Sequence, residues 1–577
     1  MNLIDGFQQL ATAPDGVARL RELILSLAVQ GRLVPQDSRD EPATTLLQRV
    51  RHEKDSLIAE GKIKRDTPVA LIADAEKPYD LPVGWEWCSL DQIAAVGTGT
   101  TPPRDNRDYY FPPSTRWVTS GETGQPFIEN TAQHVSDLAL RETSLRVYPA
   151  HTLIIAMYGQ GKTRGQISEL LVPAATNQAC AGIVLINEET YHRRYVKLFF
   201  EKIYDEIREQ AAGGAQPNLN VGKVKSTLIP IPPLAEQARI VAKVDELMRL
   251  CDELENRGRL EAEQHARLTA TLFDALAASE SSHALAENWA RVAAHFDLLL
   301  DRPEAVDALE RTILELAVRG LLLPVGERNG TTSLLDETTT ANSFEQADGA
   351  TDDSLNVAPY DIPLSWSWIR FGEIMRDLRY GTSAKCDYEI EGIPVLRIPN
   401  LKNGRISTED LKFGVLTTQE VARLALVPGD LLLVRSNGSA TLVGSAALVG
   451  EESRDFAFAG YLMRIRLRED VALPTYILLA LETEGVRAQI EGPIRTTSGV
   501  KNINSTEVSR LRLPLPPLDT QYRIVDQVDN LRCLCADLRE RLSTRQTCQT
   551  HFAEALVGQA VFTAPLAAGT DDLAAAA

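Results

Sequence analysis

The 577-residue sequence predicts an α+β fold: two similar mixed α/β domains, separated by long antiparallel coiled-coil helices and related by an internal pseudo-twofold repeat. Three observations predict it. The chain copies itself: Asn218-Leu219-Asn220 recurs as Asn502-Ile503-Asn504, and Pro230, Pro232, Pro233, Leu234, Gln237, Arg239, Ile240 and Val241 recur as Pro514, Pro516, Pro517, Leu518, Gln521, Arg523, Ile524 and Val525. After each Pro-Pro pair, apolar residues fall at spacings of four and three, at Ile240, Val244, Leu247, Cys251 and Leu254, and again at Ile524, Val528, Leu531, Cys535 and Leu538, which is a heptad seam. Between the helical pieces lie blocks of short apolar runs broken by Gly, Pro and Asn, the pattern of mixed domains.

Residues 1–79 form an N-terminal helical region. Phe7, Pro14, Val17, Leu20, Ile24, Leu25, Ala28, Val29, Gly31 and Pro35 recur as Phe296, Pro303, Val306, Leu309, Ile313, Leu314, Ala317, Val318, Gly320 and Pro324. Residues 80–235 are the first mixed domain, with a strand expected at Thr152 to Met157 and a helical stretch at Tyr191 to Gln210. Its lead-in, Tyr79-Asp80, Pro82, Trp85 and Trp87, recurs as Tyr360-Asp361, Pro363, Trp366 and Trp368. Residues 236–324 are a central helical region whose long helix, from about Ala235 to Ala275, would reach about 60 Å at 1.5 Å per residue. Residues 325–359, rich in Thr, Asp, Glu, Ser and Asn, read as a flexible acidic linker. Residues 360–518 are the second mixed domain, with a strand at Asp430 to Val434. Residues 519–577 are a C-terminal helix and a disordered tail from 563. Two stripes of one pattern in one chain most simply bury each other.

Composition is that of an ordinary globular protein, 44% hydrophobic and 24% charged, without an apolar run of the roughly 20 residues that cross a bilayer. The first ten residues lack the basic and apolar regions of a leader, and seven scattered cysteines suggest no disulfide framework, so a reducing cytoplasm is expected. The net charge of −19 argues at first against a polyanion. The acid is concentrated between and after the mixed domains, which are themselves nearly neutral and can each carry a basic face.

No catalytic constellation emerges. Ala156-Met157-Tyr158-Gly159-Gln160-Gly161-Lys162-Thr163 ends as a P-loop does but has Ala in place of its first Gly, and a basic surface loop explains it as well. No Gly-rich dinucleotide fingerprint, metal-ligand spacing or [ND]PP[YF] tetrapeptide is present. Cys251 and Cys535 are seam positions suited to core packing.

The chain resembles the specificity subunit of type I restriction-modification systems over nearly its whole length. The residues that carry the resemblance are Gln216-Pro217-Asn218-Leu219-Asn220 through Pro232-Pro233-Leu234-Ala235-Glu236-Gln237, their repeat from Asn502 to Gln521, the Leu81-Pro82-Val83-Gly84-Trp85-Glu86-Trp87 lead-in, Met157-Tyr158-Gly159 and Asn177-Gln178. The second domain departs from the pattern, with Arg435-Ser436-Asn437 at the strand end and Ala459-Gly460 near where Asn-Gln is expected. The resemblance implies two target-recognition domains, each reading one half of an interrupted sequence in double-stranded DNA, and helices that set the gap between halves and dock two methyltransferase subunits. Motor-nuclease subunits join in the full complex. It implies no catalysis by this chain, with S-adenosylmethionine and ATP on the partners.

Reading bases takes Arg or Lys for guanine and Asn or Gln for adenine, while other cations and backbone N–H groups hold phosphates. The candidates in the first domain are Arg104, Tyr158, Lys162, Arg164, Asn177, Gln178, Asn218, Asn220 and Lys223. In the second they are Arg379, Tyr380, Lys385, Arg435, Asn437, Lys501, Asn502 and Asn504. Domains that read different bases should not share readers, so turn capping or phosphate contact suits the repeated Asn218, Asn220, Asn502 and Asn504 better. Tyr79, Trp85, Trp87 and their repeats suit domain packing. Two other readings stay open: a coiled-coil scaffold whose globular domains bind protein, and a nucleotide-dependent enzyme resting on Gly161-Lys162-Thr163 alone.

Overall fold

The computed structural model describes residues 13–63, 77–159, 162–212, 219–324, 359–492, 495–497 and 500–563. Asn218, Gly161, residues 325–358 of the expected linker and 564–577 of the expected tail lie outside them. The chain divides into two units, one of Met1–Leu260 with Gln546–Ala577, the other of Glu261–Arg545.

In the first unit, α1 (Gly16–Val29) buries Leu20, Leu23, Ile24 and Ala28. It ends at Gly31, whose φ of +68° and whose neighbours exclude a side chain: a Cβ there would stand 2.6 Å from Pro82 and 2.9 Å from the Trp85 ring. The lead-in tryptophans are packing residues, as expected. Trp85 and Trp87 are buried, and Tyr79 meets Trp87 edge-on at 5.1 Å.

The first domain follows as β1 (Glu86–Ser89), β2 (Ala94–Thr98), β3 (Thr115–Val118), β4 (Phe127–Ile128), β5 (Gln133–Val135), β6 (Val147–Tyr148), β7 (Leu153–Ala156), β8 (Ile167–Leu170), β9 (Ala174–Thr176) and β10 (Cys180–Leu185). One sheet has the order β2-β10-β7-β8-β4, antiparallel except for its β4–β8 edge. A second has the order β5-β3-β9-β6, with β3 and β9 parallel. The apolar run of β7 is buried along its whole length, as a central strand requires. The single helical stretch expected at 191–210 is two helices: α2 (Thr190–Lys202) closes at Ile203, and Tyr204–Ala212 follows.

The exit runs through α3 (Val221–Lys225) and β11 (Leu228–Ile231), which pairs with β1 so that Pro230 faces Trp87. Proline has no N–H to give a ladder, and the Tyr195 hydroxyl of α2 uses the Pro230 carbonyl at 2.8 Å. The long helix α4 (Leu234–Ala277) then begins. The repeated glutamine is structural. Buried Gln237 donates from Nε2 to the Pro232 carbonyl at 2.8 Å, and its Oε1 lies 3.0 Å from His192 Nδ1, which fastens the exit to α2.

The second unit repeats this plan. Its α5 (Pro303–Val318) ends at Gly320, φ +70°, where a Cβ would meet Pro363 at 2.7 Å. The domain comprises β12 (Ser367–Arg370), β13 (Met375–Tyr380), β14 (Cys386–Asp387), β15 (Ile393–Leu396), β16 (Leu401–Lys402), β17 (Arg405–Ile406), β18 (Lys412–Gly414), β19 (Leu431–Val434), β20 (Ser436–Asn437), β21 (Ala446–Leu448), β22 (Ala457–Phe458) and β23 (Leu462–Leu467). After α6 (Pro474–Glu482) come β24 (Arg495–Thr497), β25 (Val500–Asn502), α7 (Ser505–Ser509), β26 (Arg512–Leu515) and α8 (Leu518–Thr563). The order β13-β23-β19-β21-β17 matches β2-β10-β7-β8-β4, and β18-β15-β22 matches β5-β3-β9. Tyr476 donates to the Pro514 carbonyl at 2.7 Å and Gln521 to Pro516 at 2.9 Å, as their counterparts do.

The seams exist, and short helices join in covering them. Ile240, Val244, Leu247 and Cys251 of α4 are buried with Leu20, Ile24 and Ala28 of α1. Ile524, Val528, Cys535 and Leu542 of α8 are buried with Val306, Ile313, Leu314 and Ala317 of α5. Each stripe therefore has a short apolar helix of its own half as cover. The long helices do meet in the second unit, where Phe273 and Leu276 of α4 share a cluster with Leu316 and with Leu538 of α8. In the first unit the far end of α8 covers α1, with Ala553 and Val557 on Leu23 and Arg19 paired to Glu554 at 2.7 Å. At roughly 1.5–3 kcal/mol for each buried aliphatic side chain, these stripes are major stabilising elements.

Candidate nucleic-acid interface

The first domain gathers several candidates where three loops meet. Thr100 N donates to the Thr176 carbonyl at 3.1 Å, and Gly99 lies so close that a Cβ would stand 1.7 Å from that oxygen. The glycine is thus required by the approach of one loop to the next. Thr98 Oγ1 donates to the Cys180 carbonyl at 2.9 Å, and the Thr101 hydroxyl bonds the Gln178 side chain. Met157 N donates to Ala179 at 2.7 Å, which brings Tyr158, 38% exposed, beside Asn177-Gln178. Arg104 is exposed on the loop that begins with this turn, and Gln178 is exposed. Asn177 also closes a turn, its Oδ1 accepting from Ala179 N at 3.0 Å.

Lys162 and Arg164 sit on the turn from β7 to β8, where Tyr204 donates to the Lys162 carbonyl. A P-loop needs a helix N-terminus after its glycines to receive the phosphate, and here an antiparallel strand follows. Asn220 is the N-cap of α3, its Oδ1 accepting from Lys223 N at 2.9 Å, and the exposed Lys223 rides on that helix, which packs against β2.

The second domain has the same frame with other side chains on it. Thr382 N donates to the Phe458 carbonyl at 2.8 Å, as Thr100 does to Thr176, so Ala459-Gly460 occupies the place of Asn177-Gln178. Arg435 N donates to the Tyr461 carbonyl at 3.0 Å, as Met157 does to Ala179, so Arg435 occupies the place of Met157. The Arg435 guanidinium lies 4.5 Å from the centre of the Tyr380 ring, whose hydroxyl accepts from Ser505 N at 2.9 Å. Strand β25 pairs with β20, Ser436 opposite Asn502 and Asn437 opposite Lys501. Tyr380, Arg435, Asn437, Lys501, Asn502 and Asn504 are thus brought together. Asn504 is the N-cap of α7 in a reciprocal capping box with Glu507, at 2.9 and 2.8 Å. Asn437 closes a turn on Ser439 N at 2.8 Å. Arg379 is paired with Asp377 at 2.9 Å, and Lys385 is exposed ahead of β14.

A cluster in the second domain has no sequence signature. Tyr388, 55% exposed, has Lys412 Nζ 4.7 Å and the Arg397 guanidinium 5.7 Å from its ring centre. These residues belong to no motif. Only the pairing of β14 and β15 with β18 unites them.

The sequence profile of the type I restriction modification DNA specificity domain matches residues 82–264 and 366–544. The chain is 29% identical over 577 residues to the type I restriction enzyme EcoEI specificity subunit of Escherichia coli, covering 95% of this chain and 94% of that one. It is 28% identical to the EcoAI specificity subunit of the same organism over 564 residues, again 95% of this chain and 94% of the other. A crystal structure of the HsdS subunit from Thermoanaerobacter tengcongensis aligns with 85% of this chain and 99% of its own at 19% identity, with a TM-score of 0.39. With two copies of the profile's domain on a repeated frame, the chain belongs to the type I restriction-modification DNA specificity family, as a non-catalytic specificity subunit with two target-recognition domains.

Proposed function

We propose that the two domains read the two halves of an interrupted sequence in double-stranded DNA and that the long helices set the gap between them and dock two methyltransferase subunits. Motor-nuclease subunits join this assembly in the cytoplasm. S-adenosylmethionine and ATP are bound by those partners, and this chain directs the chemistry without performing it.

One observation carries the reading. The two domains keep the same hydrogen bonds at the loop junction while the side chains exposed there diverge, Asn177-Gln178 against Ala459-Gly460 and Met157-Tyr158 against Arg435-Ser436. A shared scaffold with different tips is what two readers of different half-sites require. In the first domain Arg104, Tyr158, Lys162, Arg164, Gln178 and Lys223 face the duplex. In the second, Tyr380, Lys385, Arg435 and Lys501 do so, with Arg379 at the side. The capping and turn-closing asparagines, Asn177, Asn220, Asn437 and Asn504, hold the loops in place, and Asn502 aligns β25. Guanidinium groups are the natural readers of guanine and Gln178 of adenine.

The chain is combined with its methyltransferase, and the adenines that the complex methylates are mapped. A single bipartite sequence is the expected result, and methylation indifferent to sequence would refute the reading.

A further inference from the structure

The two domains differ in charge at one equivalent ladder position. Trp117 of β3 pairs in parallel with Ala175 and antiparallel with Gln133. Val395 of β15 pairs in parallel with Ala457 and antiparallel with Lys412. Lys412 therefore stands where the first domain has Gln133, and Arg397, two residues beyond Val395, stands where it has Thr119. Each of these residues opens a short turn, and the two turns are closed by opposite chemistry. In the first domain the Glu122 carboxylate accepts from Thr119 N at 2.6 Å and Ala132 N at 2.8 Å. In the second, neutral Asn400 accepts from Arg397 N at 2.8 Å and donates to the carbonyls of Ser407 and Asp410 at 3.1 and 2.8 Å.

An acidic, closed turn has thus become a basic one with an exposed aromatic ring on it. Asp410 pairs with Arg397 at 2.9 Å, and the Asp387 carboxylate accepts from Tyr388 N at 2.8 Å. Lys412 and Lys385 make no direct ion pair among the described residues, while the Asp410 carboxylate, bonded to the Tyr388 side chain and to Arg397, lies close enough to Lys412 to feel its charge. The Leu396 carbonyl accepts from Ala459 N at 2.9 Å, so the cluster adjoins the Ala459-Gly460 junction and Tyr461, itself 37% exposed. Cations interleaved with exposed aromatic rings suit a nucleic-acid backbone and its bases. At this junction the second domain lacks the two polar side chains of the first.

We infer that Tyr388, Lys412 and Lys385, with Arg397 holding the Tyr388 ring, form a DNA-contact surface that the second target-recognition domain has and the first lacks. The lysines grip phosphates at the second half-site and Tyr388 packs against a sugar or base edge beside them. The inference rests on the proposed reading of a bipartite duplex.

The test uses the full chain with its methyltransferase and two duplexes, one with the methylated bipartite sequence and one scrambled. Lys412→Gln, which installs the first domain's residue, is expected to reduce the slope of log affinity against log salt by about 1 and to weaken binding of the specific duplex about tenfold. Tyr388→Ala is expected to reduce discrimination against base changes in the second half-site and to leave the first half-site unaffected. Lys412→Arg is expected to retain the wild-type slope, which separates lost charge from lost folding. If Lys412→Gln and Tyr388→Ala both leave affinity, slope and second half-site discrimination within twofold of a sequence-selective wild type, this surface is overturned and the bipartite reading stands. A wild type that does not distinguish the two duplexes overturns both.

Discussion

Asn220 and Asn504 illustrate how a residue that invites a functional reading can be occupied with folding. Each side-chain oxygen satisfies a first-turn N–H of a short helix, at 2.9 Å in both domains. Alanine at either position is expected to cost about 1 kcal/mol and to lower the thermal midpoint while half-site preference is retained. A changed base preference at an unchanged midpoint would identify a reader instead. Glu236 is a second case. It is only 2% exposed, burial raises its carboxyl to about 7, and the Trp85 indole N–H donates to it at 3.0 Å. Because the folded value lies above the ordinary one of 4.5, the protonated acid favours the folded state. Its contribution is complete below about pH 4.5 and is lost as the pH rises through about 7, a change on the order of 3 kcal/mol. Glu236→Gln is expected to flatten that part of a stability profile measured by denaturant titration, and an unaltered slope would contradict it. The repeat has Thr520 at this place, so the second unit should not share the dependence.

At the level of elements, spacing and repetition made much of the fold legible before any coordinates. Both long helices start at the Pro-Pro exits, both seams are buried, and the apolar runs ending near Met157 and Val434 are central strands. Three features were not legible. The break at Ile203 carries no proline or glycine to signal it. Strand register is not written in local spacing, so nothing in the sequence associates Arg397, Lys412 and Tyr388. The part of α1 and α5 in covering the seams is not legible either, because their apolar stripes suit a seam as well as another long helix does. The turn after α5 offers a direct check. Alanine at Gly320 would carry a left-handed φ and meet the Pro363 ring, and a loss of more than about 1 kcal/mol is expected in thermal unfolding. Deleting seven residues from α4 alone, beyond its buried seam, is expected to change the permitted gap between half-sites in the methylation map. An unchanged gap would count against the helices as its determinant.

For the whole molecule, the charge of −19 shows how a sum can mislead. DNA affinity depends on which face the cations occupy, and a complex holding phosphates through several lysines and arginines should lose affinity steeply between about 50 and 200 mM salt. A scaffold that binds only protein would have no such affinity to lose. The division of the chain has another consequence, for synthesis on the ribosome. The second unit is one continuous stretch, Glu261–Arg545, whereas the first includes Gln546–Ala577, and Leu23 and Arg19 find Val557 and Glu554 only there. The helix around Leu23 therefore waits for the segment around Val557, and the first unit completes this packing only after Glu261–Arg545 has been made. A premature stop ahead of Gln546 would spare the later-made unit and leave the earlier-made one with a bare apolar patch, a target for quality-control proteases.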